Sequence, residues 1–317
     1  MNSVKNIFSK EDRTAALFVI LGASMWGVDG IVLRPALYGL PVPLVVFIES
    51  TIVAVILSPF FMRKFSSLKS LNYKDWAAFF FVALLGGAVG TMAITKALFY
   101  VNFVNLSVVI LLQKLQPVFA ITLAALFLKE RLTWQFFLWA ALAVFGAYFM
   151  TFGTKPPDLS AGDKTTVAAL FALLAAFSFS SSTVFSKRAL RNVSFEMGTY
   201  LRFLFSSVIL FTLVLFMGEF NSISDVTSTQ IIVFIIIAFS TGGVAIFLYY
   251  YGLKKISASV ASICELAFPL TAVLLEYFIR GNILGPIQWV GVAILLFSIL
   301  KVSGIRSENS QKKDSVK

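Results

Sequence analysis

Long apolar stretches recur along the whole chain and constrain its fold more than any other feature. Ten segments contain roughly 20 predominantly apolar residues each, the length that an α-helix needs to cross about 30 Å of hydrocarbon. They are residues 15–34, 43–62, 76–98, 105–128, 133–152, 165–187, 196–217, 229–251, 257–279 and 285–303. A soluble core cannot bury so many apolar helices, and only 13% of the 317 residues are charged. The sequence therefore predicts an all-α membrane protein with ten transmembrane helices.

Composition excludes several classes of function. Histidine is absent and Cys264 is the one cysteine, so the sequence contains neither a disulfide framework nor a thiolate metal cluster. An intramembrane enzyme needs paired aspartates or a Ser/His dyad, and Asp29 is the one aspartate within a predicted span. We therefore expect no metal, no cofactor and no enzymatic activity. The first span is too long, and too soon followed by others, for a cleaved signal peptide.

The distribution of basic residues predicts the orientation in the membrane. If the N-terminus is cytoplasmic, four Lys and Arg residues lie in the outer gaps, namely Arg34, Lys155, Lys164 and Arg280. Lys96, Lys114 and Arg202 lie within spans, and the other 19 of the 26 lie in cytoplasmic segments. This positive-inside bias predicts a cell-membrane protein with both termini in the cytoplasm. The net charge of +11 is then a consequence of topology rather than a sign of nucleic-acid binding.

The two halves of the chain agree when one is shifted by 152 residues against the other. Pro117 then falls on Pro269, and the small-residue motif at 86–90 falls on 238–242. Because each half has five spans, an odd number, the second half enters the membrane from the opposite side, as in many secondary transporters. The predicted organisation is a cytoplasmic N-terminus (1–13), a first repeat (14–152), a linker (153–164), a second repeat (165–303) and a disordered cytoplasmic tail (304–317).

Two stretches carry a family resemblance. "YVNFVNLSVVILLQKLQPVFAITLAALFLKERLT" (100–133) and "GLKKISASVASICELAFPLTAVLLEYFI" (252–279) resemble the two copies of the EamA domain in ten-helix members of the drug/metabolite transporter superfamily. The shared marks are a proline in mid-helix and "FLKERLT" at the end of the fourth span, although "RGNIL" stands in the second copy. The resemblance covers about 14–303 and implies two inverted five-helix repeats around a central substrate cavity, working by alternating access.

Charged residues inside the spans indicate where this cavity lies. Lys114 is nine residues, or about 14 Å, from Asn105, so its ammonium group cannot easily reach the membrane surface and should face the bundle interior. Gln113, Gln116 and Pro117 share its face of the helix, on an arc of about 160°.

The ninth span repeats this arrangement with an acid. Ser262, Glu265, Pro269 and Glu276 lie on one face within about 60°. Pro117 and Pro269 are predicted to bend their helices beside the site, because proline breaks the backbone hydrogen-bond ladder.

The predicted site draws on both repeats. The substrate-binding candidates are Trp26, Asp29, Glu49, Gln113, Lys114, Gln116, Arg202, Tyr250 and Glu265. In this prediction Lys114 and Arg202 bind a carboxylate or phosphate, while an acid holds an ammonium group or accepts a coupling proton. Glu265 is the predicted proton site, since no histidine is present to carry the proton.

An alternative is that these charges only neutralise one another, as a Lys114–Glu265 pair would, and never contact substrate. This alternative applies most to Lys96, which lies near the outer end of its span, and to Glu276. Glu276 lies one turn from Arg280, so a local pair of these two residues is expected.

The sequence therefore predicts a secondary active transporter, with export as the expected direction and proton coupling as one option. The expected substrate is a small polar metabolite, such as an amino acid, another zwitterion or an organic anion. One alternative is a site for a quaternary amine such as choline, built from Glu49, Glu265 and aromatic residues. Another is an uncoupled channel-like or scaffold protein. The expected partners are the substrate and the lipid bilayer, with the protein as a monomer or homodimer.

Overall fold

Apolar helices make up most of the structure. The computed structural model describes residues 10–61, 68–69, 71–100, 109, 112–155, 163–281 and 283–305. Within these ranges, eight helices are long and apolar enough to cross a membrane: α1 (Glu11–Leu37), α2 (Val42–Phe61), α3 (Tyr73–Leu98), α5 (Trp134–Phe152), α6 (Thr166–Ala189), α7 (Phe195–Phe216), α8 (Ser228–Lys255) and α9 (Ala258–Ile279). Two shorter apolar helices, α4 (Gln116–Leu128) and α10 (Pro286–Val302), lie at the fourth and tenth predicted spans. The all-helical fold is confirmed for the described ranges, which contain no strand, and the number of crossings stays a prediction.

Parts of the predicted organisation lie outside the described residues. These parts are most of the N-terminal segment (1–9), most of the linker (156–162), nearly the whole tail (306–317) and the first turns of the fourth span (101–108).

Polar residues in the gaps set where the helices begin. Asn72 accepts hydrogen bonds from the backbone of Lys74 and Asp75 at 2.9 and 3.1 Å, and Asp75 accepts one from the Asn72 nitrogen at 3.2 Å. This reciprocal capping box satisfies the free N–H groups at the start of α3. Four further helices begin after a capping hydroxyl, from Thr133, Ser194, Thr227 and Ser257.

The helices of one repeat pack mainly against helices of the other. Some contacts join equivalent helices: α2 packs along α7, α4 against α9 and α5 along α10. The remaining large contacts come in pairs that the five-helix shift exchanges, α1–α8 with α3–α6 and α1–α9 with α4–α6. The two repeats are therefore interlocked around an approximate twofold relationship.

Glycines allow the closest of these contacts. A Cβ atom on Gly146 of α5 would lie 2.7 Å from the backbone nitrogen of Leu295 in α10, so the two backbones pack directly against each other. A Cβ atom on Gly86 of α3 would overlap the side chain of Ser182 in α6 and lie 3.3 Å from Arg202 Nη1. Small residues of this kind let helices approach closely in lipid.

Several helices depart from α geometry near the centre of the bundle. Wider π-helical turns occur at Asp29–Leu33 in α1, Val82–Val89 in α3 and Ala238–Gly242 in α8. The last of these falls on residues 86–90 of α3 under the 152-residue shift. Such turns rotate the register of side chains and are frequent at functional sites.

The fourth and ninth spans are interrupted at nearly equivalent places. A turn at residues 114–115 precedes α4, and a turn at residues 265–266 divides α9. Each interruption lies just before the proline of its span, Pro117 or Pro269, which cannot donate a backbone hydrogen bond. The side chains of Lys114 and Glu265 therefore emerge where the helices are broken.

Candidate functional site

A central cavity of about 230 Å³ lies where the two repeats meet. Four helices of the first repeat (α1–α4) and four of the second (α6–α9) contribute to its wall, while α5 and α10 do not. Polar wall residues include Asp29, Arg34, Glu49, Ser50, Thr91, Gln113, Gln116, Ser182, Thr183, Ser186, Arg202, Ser206, Thr241, Tyr249 and Glu265. A cavity that both repeats enclose changes shape when the repeats move against each other.

Glu265 is the best-connected residue in this wall. Its Oε2 accepts a hydrogen bond from Gln116 Nε2 at 2.5 Å, and its Oε1 accepts from Tyr249 OH at 2.6 Å and Thr183 Oγ1 at 3.1 Å. The three donors belong to α4, α8 and α6, so one carboxyl group joins four helices. Three donors around a buried carboxylate compensate for its lost hydration.

A charged cluster occupies another part of the wall. Arg34 donates to Asp29 Oδ2 through Nε at 2.9 Å and Nη2 at 2.6 Å, and Nη2 lies 3.3 Å from Glu49 Oε2. Thr241 Oγ1 donates to Asp29 Oδ1 at 3.3 Å. Asp29 and Glu49 were predicted from the sequence, whereas Arg34 was assigned to an outer gap. That assignment was wrong because α1 continues to Leu37 and includes Arg34, whose side chain is 12% exposed.

Arg202 presents a guanidinium group to the cavity. Its Nη1 lies 3.4 Å from Tyr250 OH, and its Cζ is 5.9 Å from the centre of the Tyr250 ring. No carboxylate of a described side chain lies within ion-pair distance of Arg202. The remaining donors of Arg202 are therefore free to bind acceptor atoms on a ligand.

The aromatic residues take different places from those the sequence indicated. Tyr250 lies behind Arg202, bonded to Ser186 Oγ at 2.9 Å, and does not contribute to the wall. Its neighbour Tyr249 does, and its ring lies 5.2 Å from that of Trp26. Tyr250 was the member of the run Tyr249–Tyr251 predicted from the sequence, and that prediction took no account of the π-helical turn that precedes the run in α8.

A second cavity, of about 160 Å³, adjoins the first and is mostly apolar. The two cavities share seven wall residues: Gly30, Ile94, Leu98, Gln113, Gln116, Glu265 and Phe268. Lys114, Ser262 and Glu276 line the second cavity only, as do Pro117 and Pro269.

Lys114 and Glu265 do not form the ion pair that the sequence allowed. Lys114 Nζ donates to Thr151 Oγ1 at 2.7 Å and lies beyond ion-pair distance of every described carboxylate. Gln113, beside Lys114, donates to the carbonyl oxygen of Ala172 at 3.1 Å. The idea that Lys114 and Glu265 only neutralise each other is therefore wrong. Glu265 lines both cavities, whereas Lys114 lines the second cavity alone.

The two remaining charged candidates lie away from the cavity centre. Lys96 is exposed, with Nζ 5.6 Å from the centre of the Phe171 ring, so it is not one of the interior bases. Glu276 lines the second cavity, and the side chain of its expected partner Arg280 lies outside the described residues. Within the described ranges, no group of three or more Asp, Glu or Cys residues is placed to hold a metal ion.

Comparisons with known proteins agree with this architecture. The model of the EamA-like transporter family matches residues 13–152 and 166–304, one match in each half. A solved crystal structure shares the fold with a TM-score of 0.71, covering 91% of this chain and 96% of that chain at 16% identity.

Named relatives are transporters. The riboflavin transporter ImpX of Fusobacterium nucleatum is 47% identical over 289 residues, which are 91% of this chain and 97% of that protein. The uncharacterized transporter YwfM of Bacillus subtilis is 27% identical over 299 residues, 91% of this chain and 93% of that protein. The similarity to ImpX therefore extends over most of both chains.

Proposed function

This chain belongs to the EamA-like transporter family, a group of multi-pass membrane transporters, and we propose that it carries riboflavin across the cell membrane. The observation that carries the proposal is the 47% identity to a named riboflavin transporter along nearly the full length of both chains. Membership of the family does not by itself identify the substrate. The composition of the cavity gives the proposal a second, independent support.

Riboflavin is uncharged at neutral pH and combines a flat aromatic ring system with a polar edge and a chain of hydroxyl groups. The proposed site matches these parts with aromatic side chains, such as Trp26, Tyr249 and Phe268, and with many hydroxyl and amide groups. Most of its charges are compensated within the wall, since Arg34 is bonded to two acids and Glu265 to three donors. An uncharged ligand can therefore bind, because it does not have to neutralise these wall charges.

Arg202 has a specific role in this proposal. A guanidinium group presents parallel N–H donors that bind two adjacent acceptors, as in arginine pairing with the O6 and N7 atoms of guanine. The pyrimidine ring of riboflavin carries such neighbouring carbonyl oxygens and ring nitrogens. We assign Arg202 to that edge, and Trp26 with Tyr249 to the aromatic rings.

The room available fits a ligand of this size. Small-molecule sites are usually about 300–1,000 Å³. The main cavity alone falls below that range, but the second cavity adjoins it and is lined mostly by apolar residues. The dimethyl-substituted end of the ring system is the apolar part of riboflavin, and it suits that side.

The proposal extends to the topology. Ten crossings, arranged as inverted five-helix repeats at 14–152 and 165–303 with both termini in the cytoplasm, are supported by the positive-inside charge bias and by the exchange pattern of helix contacts. Alternating access then consists of movement of the repeats about the shared cavity. We take export as the direction, because it is the commoner one in families of this kind.

The test is binding and exchange with purified protein. Riboflavin would be titrated by the quenching of its fluorescence, and entry of labelled riboflavin would be measured in vesicles preloaded with unlabelled riboflavin. We expect saturable binding and exchange, with Trp26→Ala and Arg202→Gln each weakening binding about tenfold, equivalent to about 1.4 kcal/mol. Lys96→Met is the matched control, with an expected change of less than about twofold.

Exchange in vesicles preloaded with other compounds tests the substrate classes predicted from the sequence. If riboflavin neither binds nor exchanges, while a labelled amino acid, organic anion or choline exchanges in vesicles preloaded with the same compound, the riboflavin proposal is wrong. Flux that does not saturate would instead favour the channel-like alternative.

A further inference from the structure

Lys114 is the least compensated buried charge among the described residues that border the two cavities. The residue is 4% exposed, and its ammonium group has three N–H donors, of which one bonds Thr151 Oγ1. Thr151 in turn donates its own hydrogen to the carbonyl oxygen of Ala147 at 3.0 Å. Lys114 thus contacts one neutral hydroxyl group. By contrast, Asp29 and Glu49 pair with Arg34, and Glu265 accepts from three donors.

The groups around Lys114 offer little that would stabilise a positive charge. Helix α9 contributes Ser262, Glu265 and Glu276 to the second cavity, α5 contributes Thr151 to Lys114 itself, and α1 and α3 contribute apolar residues or glycine. Both carboxylate oxygens of Glu265 are already bonded to Gln116, Thr183 and Tyr249. Neither Glu265 nor Glu276 lies within ion-pair distance of Nζ.

The energetic consequence depends on whether Lys114 holds a proton. An unpaired ammonium at mid-membrane depth costs about 3 kcal/mol or more, whereas a neutral amine hydrogen-bonded to a hydroxyl avoids most of this cost. The packing described here therefore favours the neutral amine. A conformation in which water or a carboxylate reaches Nζ favours the ammonium.

The position of Lys114 connects such a change to the substrate cavity. Its neighbours Gln113 and Gln116 line both cavities, and it lies at the helix interruption that precedes α4. Movement of α4 against α9 changes the access of water to Lys114 and the shape of the main cavity together.

We propose that Lys114 binds and releases the coupling proton of this transporter, and this inference rests on the proposed function. In the release step, an N–H bond of the ammonium breaks, its electron pair stays on Nζ and water in the second cavity accepts the proton. In the uptake step the reverse occurs after the repeats have moved. Lys114 lines the second cavity, where the proposed ligand presents its methyl groups and no hydrogen-bonding atoms, so Lys114 couples without binding polar atoms of the substrate.

The test separates coupling from binding in reconstituted vesicles. A gradient of one pH unit can drive accumulation up to about tenfold if one proton is coupled to each substrate molecule. Exchange between preloaded and external substrate needs no gradient. For Lys114→Met we expect exchange within about twofold of wild type and complete loss of gradient-driven accumulation. Lys96→Met, an exposed lysine, should keep both.

A second variant guards against a folding defect in the first. Lys114→Arg carries a charge that is not lost, since a guanidinium group stays protonated at the pH of such assays, and it should also lose the gradient's effect. Thermal unfolding and elution as one species would establish that both variants are folded.

Four results would overturn the proposal. If Lys114→Met keeps full gradient-driven accumulation, or if Glu265→Gln alone loses it while retaining exchange, the proton site is not Lys114. If folded Lys114→Met loses exchange as well, Lys114 is a substrate-binding residue, as the sequence indicated. Wild-type exchange without any response to the gradient would reject the coupling alone, whereas absence of riboflavin exchange in wild type would reject the proposed function itself.

Discussion

The helix interruption in α9 carries a carboxylate bonded to three side chains, whereas the interruption before α4 carries a lysine side chain bonded to one hydroxyl. The two interruptions lie at nearly equivalent places in the repeats, each just before a proline. Under the 152-residue shift, Glu265 falls on Gln113 and Lys114 falls on Leu266. Neither charge therefore has a charged counterpart in the other repeat.

This difference shows that the repeats share a backbone design but divide the chemistry between them. Both supply a broken helix whose side chains reach the cavities. A membrane helix can be broken only where its freed backbone groups line a cavity or find partners. One repeat then supplies a fully satisfied carboxylate, and the other a poorly satisfied base. The first is suited to holding structure and ligand in place, and the second to changing its charge.

Removing the carboxylate tests the well-satisfied side of the comparison and should have the largest effect. Glu265→Ala leaves Gln116, Thr183 and Tyr249 without their shared acceptor in a buried site. We expect a loss of about 3–5 kcal/mol in stability, because breaking a buried charged network leaves its partners unpaired. Thermal unfolding in detergent would measure the loss of stability, and riboflavin titration would measure any accompanying loss of binding.

Glu265→Gln is the matched control, since it keeps the shape of the side chain and part of its accepting capacity. The loss of stability in Glu265→Gln should be less than half of the loss in Glu265→Ala. Equal unfolding temperatures for wild type and Glu265→Ala would mean that the hydrogen bonds of Glu265 do not stabilise the fold.

Making the two interruptions alike tests the poorly satisfied side. Lys114→Leu places in the first repeat the residue that Leu266 supplies in the second. Replacing a buried polar group that has a single hydrogen-bond partner with an apolar group often stabilises a protein, and we expect a gain of about 1–3 kcal/mol. The measurement is again thermal unfolding, with Lys96→Leu as the exposed control. A lower unfolding temperature for Lys114→Leu would show that the Lys114 side chain contributes favourable contacts.

The helical fold was largely predictable because hydropathy depends on local sequence. An apolar helix is present at each of the ten predicted spans, and the resemblance to the EamA family is confirmed. The end of the first span was the main error in extent. Asp29 and Arg34 interrupt the apolar pattern there, but they neutralise each other inside the bundle and the helical segment continues to Leu37.

The site was predictable only in part because it depends on which side of each helix faces inward. Glu265, Gln116 and Gln113 were predicted from their positions near prolines, and all three line the main cavity, whereas their role in binding stays a prediction. Thr183 and Tyr249 were missed as partners of Glu265, since nothing in their own helices distinguishes them from neighbouring hydroxyl residues. The π-helical turns rotate the later residues of α1 and α8, and a fixed 100° per residue does not describe them.

The ends of the interrupted spans offer a further contrast with a smaller expected effect. Glu130, which follows α4, accepts hydrogen bonds from the backbone nitrogens of Ala258 and Ser259 at 2.8 and 3.1 Å and from Ser259 Oγ at 2.7 Å. It therefore caps the start of α9, and the equivalent position 282 after α9 is not acidic. An acid at a helix N-terminus satisfies free N–H groups and complements the helix dipole.

Glu130→Ala should cost about 1–2 kcal/mol in stability, through the lost cap and its charge-assisted bonds. Glu196→Ala is the matched control, because Glu196 lies in the first turn of α7, a helix that has a serine cap as α9 does, but accepts no hydrogen bond from the described backbone of that helix. Thermal unfolding of the two variants, side by side, measures the difference. Equal shifts would mean that the contact between Glu130 and α9 adds nothing beyond a general surface charge.

The smallest expected effect concerns the individual donors to Glu265. Thr183→Val removes the longer of the two bonds to Oε1, at 3.1 Å, whereas Tyr249→Phe removes the shorter, at 2.6 Å. A net hydrogen bond to a charged group contributes about 1.5–3 kcal/mol, and we expect Thr183→Val to lie at or below the lower limit because Tyr249 and Gln116 still bond the carboxylate. Riboflavin titration and thermal unfolding would rank the variants. A larger loss for Thr183→Val than for Tyr249→Phe would contradict this order, and would mean that Thr183 acts by holding Tyr249, whose hydroxyl lies 2.9 Å away, rather than by bonding Glu265 itself.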